Sequence, residues 1–254
     1  MTMRELLVRG MLVGVLAGLL AFAFARAFGE PNVDRAIAFE ESHASAGEPA
    51  HGSMGGMPAT ESGHSHDEAR ELVSRPTQAG LGLFTGVMLY GVAFGGLFAL
   101  AFAVAWGRVA VLGARGLAGL IAALGFVVVV VVPQLKYPAS PPAVGEPDTI
   151  GARTVVFFIM LLISLIAAGL AVWVRGRLLR ATNAWNATLA AGVIFIALIA
   201  EGMLMLPAVD EVPPDFPAAL LWQFRVAALG TQAVLWLTLG LVFGYLTERR
   251  MARS

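Results

Sequence analysis

The stretch TVVFFIMLLISLIAAGLAVWV, residues 154–174, carries no charged side chain and lies between Arg153 and Arg175. A helix rises about 1.5 Å per residue, so a run of this length matches the roughly 30 Å hydrocarbon thickness of a bilayer. It is apolar all round, which no water-facing helix tolerates. Working outward, five further apolar runs of similar length appear at 6–25, 80–106, 109–132, 187–206 and 218–246. The whole chain fits them: 254 residues, 58% hydrophobic and 13% charged, against about 25% charge in a soluble domain. The mean hydropathy is +0.78. The sequence therefore predicts an all-α integral membrane protein. It is a bundle of six transmembrane helices forming a single transmembrane domain over 1–254. One alternative concerns the first run. Arg4 and Arg9, an apolar stretch and AFAFARAF together have the form of a signal peptide, and cleavage would leave five spans.

A net charge of zero hides a strong asymmetry. Alternate connections place Arg4, Arg9, Arg108, Arg115, Arg175, Arg177, Arg180, Arg249, Arg250 and Arg253 on one side, with Glu5 and Glu248 as its acids. The remaining acids fall on the other side, among them Glu30, Asp34, Glu146, Asp148, Asp210, Glu211 and Asp215. The positive-inside rule makes the arginine-rich side cytoplasmic, so both termini are expected there. Glycines recur at four-residue spacing as Gly10/Gly14/Gly18, Gly82/Gly86, Gly91/Gly95 and Gly240/Gly244, the pattern that lets helix backbones approach closely.

Several function classes are excluded or left without support. There is no cysteine, so disulfides and thiolate ligands are absent. No Gly-Lys-Ser/Thr occurs, so the chain has no P-loop of its own. It has no nucleic-acid partner in this reading, and membrane lipid surrounds it. An enzyme is not expected, because all four histidines lie in one outer connection and no nucleophile–base pair can be built from them.

That connection, 29–79, is read as extracytoplasmic. Its first part, after Pro31, reads as a short helix capped by Asn32, with Val33, Ile37 and Phe39 against the membrane surface. Its second part, 42–67, is low in complexity and expected to be disordered. It holds His43, His51, His64 and His66 with Met54 and Met57. Imidazole suits Co, Ni, Cu and Zn, and thioether suits Cu(I). A histidine-rich tract of this composition is a sign of metal binding, and an acidic surface concentrates divalent cations. These six side chains are the candidate metal ligands.

Within the bilayer, Glu201 and Arg225 stand at similar depth on consecutive spans and are expected to pair. Met205 and Gln232 extend them into a possible polar path. Such a pair serves either passage or helix locking. The second outer connection, 133–152, is rich in proline and expected to be stiff. Lys136 and Tyr137 open it, Asp148 or Thr149 is expected to cap the fourth span, and Arg153 enters that span.

Three stretches carry a family resemblance: FGEPNVDRAIAFEE at 28–41, VPQLKYPASPPAVGEPDTIGART at 132–154 and FRVAALGTQAVLW at 224–236. With the number of spans and the histidine-bearing loop, the chain resembles the CbtA-type predicted cobalt transporter subunits of bacteria. The resemblance implies a multi-pass protein of the bacterial inner membrane that takes part in cobalt uptake and is linked to cobalamin synthesis. It also implies a partner, a small single-span, histidine-rich CbtB-type subunit. No permanently bound cofactor is expected. The ion is cobalt(II), with nickel(II) possible on ligand chemistry alone. Capture at the loop followed by inward passage is one reading. A membrane metal-binding scaffold or sensor that moves nothing is the other.

Overall fold

The computed structural model describes residues 2–46, 75–108, 112–142 and 144–253. His51, Met54, Met57, His64 and His66 lie outside the described residues. Among the described residues six helices are long and apolar enough to cross a membrane: Met3–His43, Gln78–Ala105, Ala114–Lys136, Ile150–Leu178, Ala184–Met205 and Ala218–Met251. Among the described residues there is no strand.

The first span begins with α1 (Met3–Phe24), whose N-terminus is closed by a capping box between Thr2 and Glu5. It does not stop at Pro31. A π-helical turn at Ala25–Gly29 leads directly into α2 (Glu30–Ala46). Proline removes an N–H and its ring crowds the preceding turn; the wider turn just before Pro31 gives the ring room. Asn32 therefore caps no helix start. Its Nδ2 lies inside the helix and donates to the Phe28 carbonyl at 2.8 Å. Residues 42–46, expected to be disordered, continue α2.

The second span enters through α3 (Arg75–Thr77) and a π turn at Gln78–Gly82 before α4 (Leu83–Ala105). The third combines α5 (Ala114–Gly125), a π turn at Phe126–Val131 and α6 (Val132–Lys136). Here too the π turn precedes a proline, Pro133, and carries the helix past it. Then come α7 (Ile150–Leu178), α8 (Ala184–Met205) and α9 (Ala218–Met251). Thr149 takes the N-cap position of α7 but makes no side-chain cap; its hydroxyl is used elsewhere.

The core sits among α1, α4, α5 and α9. Lipid is as apolar as leucine, so close packing, not water exclusion, joins helices here. The glycines make that possible. A Cβ on Gly10 would lie 2.3 Å from the Gly95 carbonyl oxygen, and one on Gly14 2.3 Å from that of Gly91. Gly240 and Gly244 do the same against Ala122 and Ala118. Gly86 meets nothing, so the Gly82/Gly86 pair is not a packing motif. Phe98, Phe102 and Phe243 fill the half nearer the termini, edge to face at 5.2–5.4 Å. α7 and α8 pack on each other, and α7 leans on the third span. There the buried Ser164 hydroxyl donates to the Val128 carbonyl at 2.7 Å. Six crossings return the chain to its starting side, where Arg9 Nη1 donates to Thr247 Oγ1 at 3.4 Å.

Candidate functional site

The face opposite the termini is built from α2, the connection after α6 and the residues before α9. The apolar side of α2 rests on these elements. Ala36, Val144, Phe216 and Leu220 form a small core, with Phe39 packed against it. Phe39 meets Phe216 edge to face at 5.1 Å. This contact brings the last turn of α2 over the start of α9.

His43 lies in that turn. Its Nε2 is 2.8 Å from Asp215 Oδ2, and its Nδ1 is 3.0 Å from the Phe39 carbonyl oxygen. The ring is tilted over Phe39 at 4.0 Å. Both side chains of the pair are about half exposed. One nitrogen is thus held by backbone, as in a metal-ligating imidazole oriented from behind, while the other is engaged by the Asp215 carboxylate, a contact that a bound cation would replace. Among the described residues no cluster of three or more such ligands exists. His43 and Asp215 supply two.

At the far end of the histidine-bearing segment, Arg75 reaches back to α2. Its Nη2 lies 2.7 Å from Glu30 Oε2 and 3.1 Å from Asp34 Oδ1. The Glu30 side chain is only 8% exposed, so this contact is largely desolvated, while Asp34 stays exposed. The segment is therefore anchored at both ends to α2 and the head of α9: His43 with Asp215 before it, Arg75 with two acids after it.

Beside this face lies a cavity of about 420 Å³, lined by Tyr137, Ser140, Arg153, Thr154, Phe157, Glu211 and Arg225, among others. Glu211 Oε2 organises it, accepting from the Thr149 hydroxyl at 2.9 Å and the Glu146 N–H at 3.0 Å. The same oxygen faces Arg153 Nε at 3.3 Å. Two guanidinium groups with one carboxylate repel a divalent cation, so the cavity is a poor metal site. The corner is fastened to α8: Lys136 Nζ donates to the Met203 carbonyl and the Tyr137 hydroxyl to the Pro207 carbonyl, both at 2.8 Å. Burial pushes the Tyr137 phenol up from its ordinary value, which keeps it a donor.

The expected pair of Glu201 and Arg225 does not form. Arg225 Nε donates to the Ala139 carbonyl at 3.3 Å, and Glu201 makes no ion pair among the described residues. The reason is packing. α8 lies on α7, which leaves Glu201 on an exposed helix face. Met205, 77% exposed, shares the outside of the bundle. Gln232 is elsewhere, accepting from the Tyr90 hydroxyl at 3.4 Å. These two, with Thr231, line a half-open pocket of about 240 Å³. The proposed path residues are thus not brought together.

The chain matches the family model described as "Probable cobalt transporter subunit (CbtA)" over residues 3–248, nearly its whole length. The chain belongs to the CbtA family. No curated protein and no solved structure matches it. Membership in CbtA agrees with six apolar helices in a multi-pass membrane protein. Within this CbtA chain, sequence reasoning missed Tyr90, Arg75 and Glu211. Tyr90 was the readable one, since a tyrosine within a span needs a hydrogen-bond partner.

Proposed function

We propose that this CbtA chain is the membrane component of divalent-metal uptake, with cobalt(II) as cargo and nickel(II) as its competitor. The ion is captured at the histidine- and methionine-bearing segment outside the bacterial inner membrane and passed inward. The arginine-rich face is cytoplasmic by charge asymmetry, and a small histidine-rich single-span subunit completes the path. The observation that carries this reading is the pairing of His43 with Asp215 at the root of the segment. It sets one imidazole and one carboxylate on folded elements, to which His51, His64 and His66 add ligands. Imidazoles bind metal only after losing their proton, so capture weakens as the medium is acidified.

A second reading, a metal-binding scaffold or sensor, is favoured by one feature. Phe98, Phe102 and Phe243 close the inner half of the core through ring-to-ring contacts. The two readings separate in one experiment. Radioactive cobalt uptake is measured in cells lacking other cobalt importers, with and without the small partner. The intact chain is compared with a deletion of 44–67, with His43→Ala and with Glu201→Gln. Capture predicts uptake that falls sharply at low cobalt for the deletion, partly for His43→Ala, and recovers at high cobalt. No uptake above background by the intact, membrane-inserted chain, while the purified protein binds cobalt at equilibrium, sinks transport and leaves the scaffold. Glu201→Gln, exposed on α8, is expected to have no effect on cobalt binding.

A further inference from the structure

The ends of the chain meet in a groove of about 770 Å³ between the first turns of α1 and the last turns of α9. Arg4, Arg9, Arg249, Arg250 and Arg253 line it, and Glu5 is its single acid. Counting those groups gives five positive charges against one negative. Glu5 is already engaged, since its Oε2 accepts from the Thr2 N–H at 3.1 Å. The other acid at this end, Glu248, pairs with Arg115, away from the groove. Arg249 stacks on the Tyr245 ring at 4.9 Å. Arg4, Arg250 and Arg253 make no ion pair among the described residues. Arg4, Arg250 and Arg253 thus gather like charge from two helices where they meet, in excess over the single Glu5.

The lower wall is apolar. Val8, Leu12 and Leu246 line it, and Leu12 is 65% exposed. These residues run from the arginines along the helices toward the bilayer interior. A ligand that fits must put phosphate at the rim and hydrocarbon below it. Arginine matches phosphate oxygens with two parallel donors, and basic pockets between spanning helices suit lipid headgroups. We propose that this groove binds the phosphate headgroup of an anionic phospholipid, with an acyl chain along Val8, Leu12 and Leu246. Two phosphates satisfy the excess charge better than one, so a cardiolipin-type diphosphate is preferred over phosphatidylglycerol. The site is separate from metal capture and stands without it.

The test uses the full chain purified in detergent. Native mass spectrometry counts lipids retained after exchange with micelles of phosphatidylcholine, phosphatidylglycerol or cardiolipin. The variant Arg9→Gln/Arg250→Gln is compared with Arg177→Gln/Arg180→Gln, which removes equal charge from the end of α7. Arg9→Lys/Arg250→Lys restores charge with similar bulk, and melting in detergent reports folding of each. The groove variant is expected to lose anionic lipid by about tenfold or more, the α7 variant to keep it, and the lysine variant to recover much of it. Equal loss from both glutamine variants means diffuse charge and overturns the site. Equal retention of phosphatidylcholine and cardiolipin by the intact chain also overturns it and leaves the arginines to an acidic protein. Displacement of cardiolipin by an equal concentration of inorganic pyrophosphate overturns the lipid assignment in favour of a soluble phosphate.

Discussion

Replacing Gly14 with leucine will separate α1 from α4 and leave little folded protein. A Cβ at Gly14 sits 2.3 Å from the Gly91 carbonyl oxygen and 3.1 Å from the Val92 Cα. Both neighbours are backbone, so no rotamer change relieves the clash. Ordinary overpacking costs about 1–3 kcal/mol because side chains give way. Here a whole helix must move, and α1 also packs on α9, so the loss spreads through the core. The measurement is thermal unfolding of the purified chain in detergent, with monodispersity checked by size exclusion. Gly169→Leu is the control, since a Cβ there meets nothing within 4 Å. Gly14→Leu melting with the wild type would refute the close approach of α1 and α4.

The second large effect is expected from Glu211→Ala. One carboxylate oxygen joins Thr149, the Glu146 backbone and Arg153, tying the proline-rich connection to the residues before α9. Its removal leaves Arg153 and Arg225 in one cavity with no acid between them. Breaking a buried pair costs about 3–5 kcal/mol. Arg153 and Glu211 keep 25% and 21% exposure, which lowers the expectation to about 2 kcal/mol. A double-mutant cycle separates pairing from packing. Adding Arg153→Gln to Glu211→Ala should restore part of the lost stability, because the orphaned charge goes with it. If the double variant is less stable than Glu211→Ala by the full cost of Arg153→Gln alone, the two residues do not act together.

The six spans were legible because a bilayer imposes one length on every crossing, and residues 154–174 state that length without interruption. Their ends were less so. The sequence places an end before Pro31 and another at Val132, since proline normally terminates a helix. The π turns at Ala25–Gly29 and Phe126–Val131 carry both helices onward, and no local pattern announces them. The fit of Gly10 and Gly14 against Gly91 and Gly95 was visible as spacing. The idle Gly82/Gly86 pair had the same spacing, so spacing alone did not say which face meets a neighbour. Glu201 and Arg225 failed for a related reason. Equal depth is written in the sequence, but which helix lies beside which is not, and α8 chose α7. Glu211 was readable only as one acid among many. Its role arises from Thr149 and Arg153, more than fifty positions away in the chain.

The three π turns have a mechanical consequence. Each holds one residue more than an α-helical turn needs, and sliding that surplus along a helix rotates everything beyond it by about 100°. All three, at Ala25–Gly29, Gln78–Gly82 and Phe126–Val131, belong to the half of the bundle away from the termini. Among the described residues the glycine-knit half has no such turn. Rotation of side chains about their helix axes is thereby easier in the half of the bundle away from the termini than in the half that holds them.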